Sequence, residues 1–160
     1  MAVVWEQKVI ELINNKESVK LLATLDEDGA PHTAVKQSLH INLEGQIVYL
    51  ELLESSRTFK NLTRSLWHDQ YVSITVKSDA SSYRIKGKPV RIHICGPLFE
   101  EHYISVREQM GDVDLAAVCV IEPDEVGNQT YRERLEQQEV MQPFYKHLDR
   151  LVAQREDAII

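Results

Sequence analysis

Between residues 19 and 52 the chain alternates short apolar segments with very short turns. Residues 19–25 (VKLLATL) and 31–41 (PHTAVKQSLHI) flank the turn Asp26-Glu27-Asp28-Gly29, and residues 46–52 (QIVYLEL) follow a second turn from Asn42 to Gly45. Connections this short hold no crossover helix, so the segments must pair antiparallel as a meander. Gly29 supplies the positive φ such a turn needs. In residues 31–41 the period of two puts Thr33, Val35, Gln37, Leu39 and Ile41 on one face. His32, Ala34, Lys36, Ser38 and His40 fall on the other.

The period then changes. After Ser55-Ser56, apolar residues recur at Phe59, Leu62 and Leu66, which predicts an amphipathic helix with a serine cap. Residues 5–14 predict another helix, with Trp5, Val9, Leu12 and Ile13 as its apolar side. Residues 71–77 and 83–95 read as strands, the second bent or bulged at Gly87-Lys88-Pro89, because a central strand disfavours proline. Residues 98–110 read as a helix whose inner side is Leu98, Tyr103 (or His102), Val106 and Met110. A last strand over 114–121 is expected to end at Glu122-Pro123. The tail predicts one or two helices broken at Pro143, with an apolar stripe of Leu135, Val140, Phe144, Leu148, Leu151 and Val152. Such a stripe has to pack on the barrel or on a partner subunit.

The resulting expectation is a mainly β fold: a six-stranded antiparallel barrel with flanking helices. Residues 1–128 form the barrel and residues 129–160 a C-terminal helical extension. A Rossmann domain is disfavoured, since neither βαβ alternation nor a GxGxxG fingerprint occurs.

The formal net charge of −7 argues against a nonspecific nucleic-acid binder, which needs a broad basic surface. It leaves room for a small anion held by a local cluster of donors. No stretch nears the roughly 18 apolar residues of a membrane helix, and the N-terminal apolar run stops at Glu6. A cytoplasmic location is therefore expected. Cys95 and Cys119 read as reduced thiols within strands, and no ligand spacing for a metal is present.

Three groups of residues are candidates for chemistry. At Ser55-Ser56-Arg57-Thr58 a helix start offers free N–H groups, hydroxyls and a guanidinium, the ingredients of a phosphate site. Serine is also an ordinary cap, so composition alone leaves both roles open. Lys36 shares a strand face with His32 and Ser38, and fits either a ligand contact or an edge-strand lysine. Arg84, Lys86 and Lys88 share one face, either as part of an anion pocket or as a solvated strand face. The six histidines form no triad pattern and no Gly-x-Ser-x-Gly elbow occurs, so a hydrolase is disfavoured and any chemistry is expected from a cofactor.

Taken in order, LLATLDEDGAPHTAVKQSLHI, GQIVYLELLESSRTFKNL, VSITVK and YRIKGKPVRI resemble the pyridoxamine 5'-phosphate oxidase-like FMN-binding split barrels. The resemblance covers residues 19 to 126. It implies a split barrel, a homodimer and FMN at the subunit interface. It places Val35, Lys36, Gln37 and Ser38 along the isoalloxazine, with Tyr49 and Leu50 close by. The phosphate falls to Ser55, Ser56, Arg57 and Thr58, with Lys60 or Asn61 near it, and the second subunit contributes around Ser82 to Arg84. The oxidases' basic pair at the helix start and their vitamer-binding arginine and histidine have no counterpart here. The implied activity is thus an FMN-dependent oxidoreductase of a different, unassigned substrate. An alternative on the same fold is a non-enzymatic module for haem or another planar ligand, with His32, His40 or His93 as ligands.

Overall fold

The computed structural model describes residues 2–157. In chain order the elements are α1 (Gln7–Asn14), β1 (Val19–Leu25), β2 (Pro31–Val35), β3 (His40–Ile41), β4 (Ile47–Glu51), α2 (Arg57–Trp67), β5 (Val72–Lys77), β6 (Ser82–His93), α3 (Pro97–Met110), β7 (Ala117–Asn128), α4 (Tyr131–Met141) and α5 (Leu148–Asp157). The strands form one sheet in the order β2-β1-β5-β6-β7-β4-β3, with every pairing antiparallel.

The sheet has seven strands rather than the expected six. The extra strand arises because residues 31–41 do not form one strand: β2 ends at Val35 and β3 starts at His40, on the opposite edge of the sheet. That split dictates the curvature. A flat sheet of seven strands spans about 29 Å from edge to edge, whereas the stretch from Val35 to His40 reaches at most about 18 Å. The sheet therefore curls until its edges approach, giving a half-barrel split along the Lys36–Leu39 crossover.

The crossover is fastened on both sides. The Lys36 N–H donates to the Lys20 carbonyl at 2.8 Å. The Gln37 side chain accepts from the Lys20 N–H at 3.0 Å and donates to the Ser18 carbonyl at 2.9 Å, standing in for a strand residue on β1. The Ser38 hydroxyl donates to the Leu50 carbonyl at 3.1 Å and accepts from the Leu50 N–H at 3.0 Å, doing the same on β4. Leu39 is fully buried.

Leu22, Leu39, Ile47, Tyr49, Leu62, Ile74, Ile85 and Ile121 fill the barrel, and Val9 and Ile13 of α1 join them. A second cluster of Val48, Leu115 and Val118 lies on the outer face of β4 and β7. It packs against Phe99 and Tyr103 of α3, so α3 turns Phe99, Tyr103 and Val106 inward. The anticipated Leu98 and Met110 are exposed.

The bend in β6 is where Gly87-Lys88-Pro89 places it, as register shifts at Lys86/Gly87 and Pro89/Arg91. A Cβ on Gly87 would lie 2.6 Å from the Glu122 carbonyl oxygen. Gly87→Ala is expected to cost about 1–3 kcal/mol from overpacking, read as a lowered urea midpoint. β7 runs through Glu122-Pro123 to Asn128 and does not end there. Beyond Ile121 it has left β4 behind and pairs with β6 alone, so a residue without an N–H is tolerated. β7 also starts at Ala117, three residues later than 114.

Two tail helices flank Pro143 as expected, but α4 buries none of its residues. Leu135, Val140, Phe144, Leu148 and Val152 of the apolar stripe are exposed. Cys95 lies exposed beyond β6 rather than within a strand, while Cys119 is buried in the core, where burial pushes its thiol up to about 12. Among the described residues no helix is long and apolar enough to cross a membrane.

Candidate functional site

The end of β4, the loop that follows and the start of α2 converge on one buried carboxylate, Glu51. Strand alternation leaves Tyr49 and Glu51 pointing to the same side of β4, and both side chains are buried. The Tyr49 hydroxyl donates to Glu51 Oε2. The N–H groups of Leu52 and Leu53 each donate to Glu51 Oε1 at 3.1 Å. Lys36 Nζ, arriving from the crossover, stands 3.5 Å from Glu51 Oε2 and 5.4 Å from the centre of the Tyr49 ring. Burial alone would raise the Glu51 carboxyl. The Tyr49 and Ser56 hydroxyls, the Leu53 N–H and Lys36 outweigh it and hold the carboxyl below its ordinary value. Tyr49 is displaced upward, by burial first and then by the adjacent carboxylate. The unit is therefore an ionised carboxylate with a neutral phenol beside it.

Ser56 is the N-cap of α2, its hydroxyl accepting from the Phe59 N–H at 3.3 Å. Ser55 is exposed on the rim, as is Lys60. Thr58 and Asn61 turn inward and are buried, and the Asn61 side chain donates to Thr24 Oγ1 at 3.0 Å. They carry α2 on the barrel and do not face the rim. Arg57 is half exposed, and its Nη1 contacts both oxygens of Glu27 at 3.0 and 2.9 Å. Glu27 lies in the β1–β2 turn, so the hairpin tip and the start of α2 meet there.

The second-strand candidates separate. Lys36 reaches the cluster, whereas the Ser38 hydroxyl is bonded to the Leu50 backbone. Val35 and Gln37 are on the exposed side, and Gln37 is committed to β1. Leu50 contributes its backbone to Ser38. Ser82 is tied through its backbone to Gln129 and Thr130. Arg84, Lys86 and Lys88 do not form an open anion pocket within this chain. Each is matched by an acid: Arg84 with Glu125 at 2.7 Å, Lys86 with Glu125 at 3.5 Å, Lys88 with Asp69 at 2.8 Å. Cross-strand pairing of β6 with β7 brings Arg84 and Lys86 to Glu125, as expected for opposite charges facing one another on a sheet.

Two features are not picked out by the sequence. Glu51 is one, although its alternation with Tyr49 in IVYLEL marks it as inward-facing. Lys20 is the other: it is buried, its Nζ donates to the Gln37 carbonyl at 3.3 Å, and burial lowers it. Of the histidines, His40 and His102 are neighbours, with ring centres 6.0 Å apart. His40 Nδ1 is 2.8 Å from the Ser38 carbonyl, and burial followed by His40 lowers His102.

No protein-family model matches the chain and no curated protein does. Solved structures do. HupZ of Group A Streptococcus superposes with a TM-score of 0.66 at 22% identity, over 80% of this chain and 96% of that one. An FMN-binding protein from Syntrophomonas wolfei gives 0.63 at 16% identity, over 78% and 85%. HutZ, the heme storage protein from Vibrio cholerae, gives 0.56 at 16% identity, over 83% and 99%. The curled antiparallel sheet with its flanking helices thus has a known architecture: the chain has the split-barrel fold of solved proteins described as putative pyridoxamine 5'-phosphate oxidases.

Proposed function

We propose that this protein binds FMN, with the phosphate at the start of α2 and the ring toward Lys36, Ser38 and Tyr49, and that it serves as an oxidoreductase of unassigned substrate. The observation that carries the reading is the capped helix start with Arg57 on its rim. The Ser56 cap leaves the first N–H groups of α2 directed outward at the positive end of the helix dipole. Arg57 adds a planar donor whose present partner, Glu27, is an exposed carboxylate. Exposed ion pairs of this kind are worth about 0–1 kcal/mol, so a phosphate displaces Glu27 cheaply. The donor set fits a phosphate at this rim, while Lys36 is engaged by Glu51. Bound FMN would supply hydride and single-electron chemistry; the chain's own residues hold and orient it.

Arg57→Ala is expected to weaken FMN binding by about 1.5–3 kcal/mol, the worth of a charge-assisted contact, in calorimetric titration of the apoprotein. An unchanged affinity would place the phosphate elsewhere. The uncovered apolar residues of α4 and α5 support a homodimer, to be read by light scattering on the eluting peak. A haem-binding reading draws on the likeness to HutZ and on the half-buried His40–His102 pair. The absorption spectrum separates the two, with flavin bands for the first and a Soret band for the second.

A further inference from the structure

We propose that Glu51 sets how tightly this site holds a phosphate-bearing ligand, making the flavin exchangeable rather than permanently bound. The proposal rests on the flavin reading above and concerns what that reading leaves unexplained, a buried carboxylate beside the phosphate position.

Glu51 is 3% exposed, and its two oxygens collect donors from every side. They take the Leu52 and Leu53 N–H groups, the Tyr49 hydroxyl and the Lys36 ammonium. The Ser56 hydroxyl also interacts with it. These groups lie at the end of β4 and the start of α2, beside the phosphate position of the reading above. An internal anion already uses them. A buried carboxylate so well supplied with donors stays ionised and stays in place, and its charge opposes a phosphate dianion arriving at the same helix start.

Glu27 does not have this effect. It is 58% exposed and swings into water when Arg57 changes partner. Glu51 cannot, and its hold on Lys36 keeps that cation from the ligand. With Glu51 neutral, the freed Lys36 ammonium turns from the ring side toward the phosphate at the helix start.

Glu51→Gln should fold. The amide retains an oxygen for the Leu52 and Leu53 N–H groups and a donor for the Tyr49 hydroxyl. Lys36, 19% exposed, turns its ammonium toward solvent along the crossover. The test is fluorescence titration of wild type, Glu51→Gln and Glu51→Gln/Lys36→Met with FMN and with riboflavin, alongside thermal denaturation in inorganic phosphate against chloride of equal ionic strength. Glu51→Gln is expected to bind FMN at least tenfold more tightly, about 1.4 kcal/mol, with riboflavin unchanged and a larger rise in melting temperature in phosphate. Adding Lys36→Met should return FMN affinity to the wild-type range. Equal gains for both flavins, or no gain with FMN or phosphate, would overturn the proposal. Phosphate stabilisation of Glu51→Gln without binding of either flavin would keep the role of Glu51 and overturn the flavin reading.

Discussion

Lys36→Met is expected to lower the unfolding free energy by roughly 3–5 kcal/mol, the cost of leaving a buried charge without its partner. The asymmetry between the partners sets the size. Lys36 is 19% exposed and Glu51 3%, so water replaces the carboxylate for Lys36 but not the ammonium for Glu51. The Leu52 and Leu53 N–H groups and the Tyr49 hydroxyl remain, which favours the lower end of the range. Urea unfolding at pH 7 measures it. The dependence on pH supplies an internal check. In the wild type the folded Glu51 carboxyl lies below its unfolded value, so its contribution is present above the ordinary carboxyl range and is lost as pH falls through the folded value. Without Lys36 the carboxyl protonates at a higher pH, and protonation removes the unpaired charge. The deficit relative to wild type should therefore narrow from pH 7 to pH 4. A loss under 0.5 kcal/mol, typical of a surface lysine, would show that the pair does not form.

Leu39→Ala is expected to cost about 2–5 kcal/mol. By position Leu39 sits in a four-residue connection between two edge strands, where a substitution normally matters little. By packing it is fully buried, in one cluster with Leu22, Ile41, Tyr49 and Leu62. Those neighbours belong to β1, β3, β4 and α2, so a cavity there loosens contacts on both sides of the split. The Lys36 N–H and Gln37 side chain on β1 and the Ser38 hydroxyl on β4 resist collapse into the space, which raises the cost. At about 2–4 °C per kcal/mol for a chain of this size, scanning calorimetry should show a clear drop in melting temperature. A loss below 1 kcal/mol would place the crossover outside the core.

Local pattern made much of the sheet legible. β1 falls on residues 19–25 and α2 on the segment after Ser56, because apolar period and capping chemistry act over a few residues. The bend in β6 was legible for the same reason, as proline and glycine act on their own backbone. What escaped was decided at longer range. Residues 31–41 carry unbroken alternation, yet the strand breaks at Lys36 because its two halves pair with opposite edges. Pro123 sits inside a strand because β4 has already ended beside it. Leu98 gives way to Phe99 on α3 because the outer face of β4 and β7 selects which side of the helix is covered.

The site divides along the same line. The residues alone determined a helix start rich in hydrogen-bond donors, since the Ser56 cap and the Arg57 guanidinium belong to one short segment. Only the tertiary structure decided what those donors and cations face. Lys36 and Arg57 appear in the sequence as free positive charges, and the fold gives each a carboxylate, Glu51 and Glu27. Ion pairing depends on distance through space, and Glu51 is buried only because the sheet curls around it.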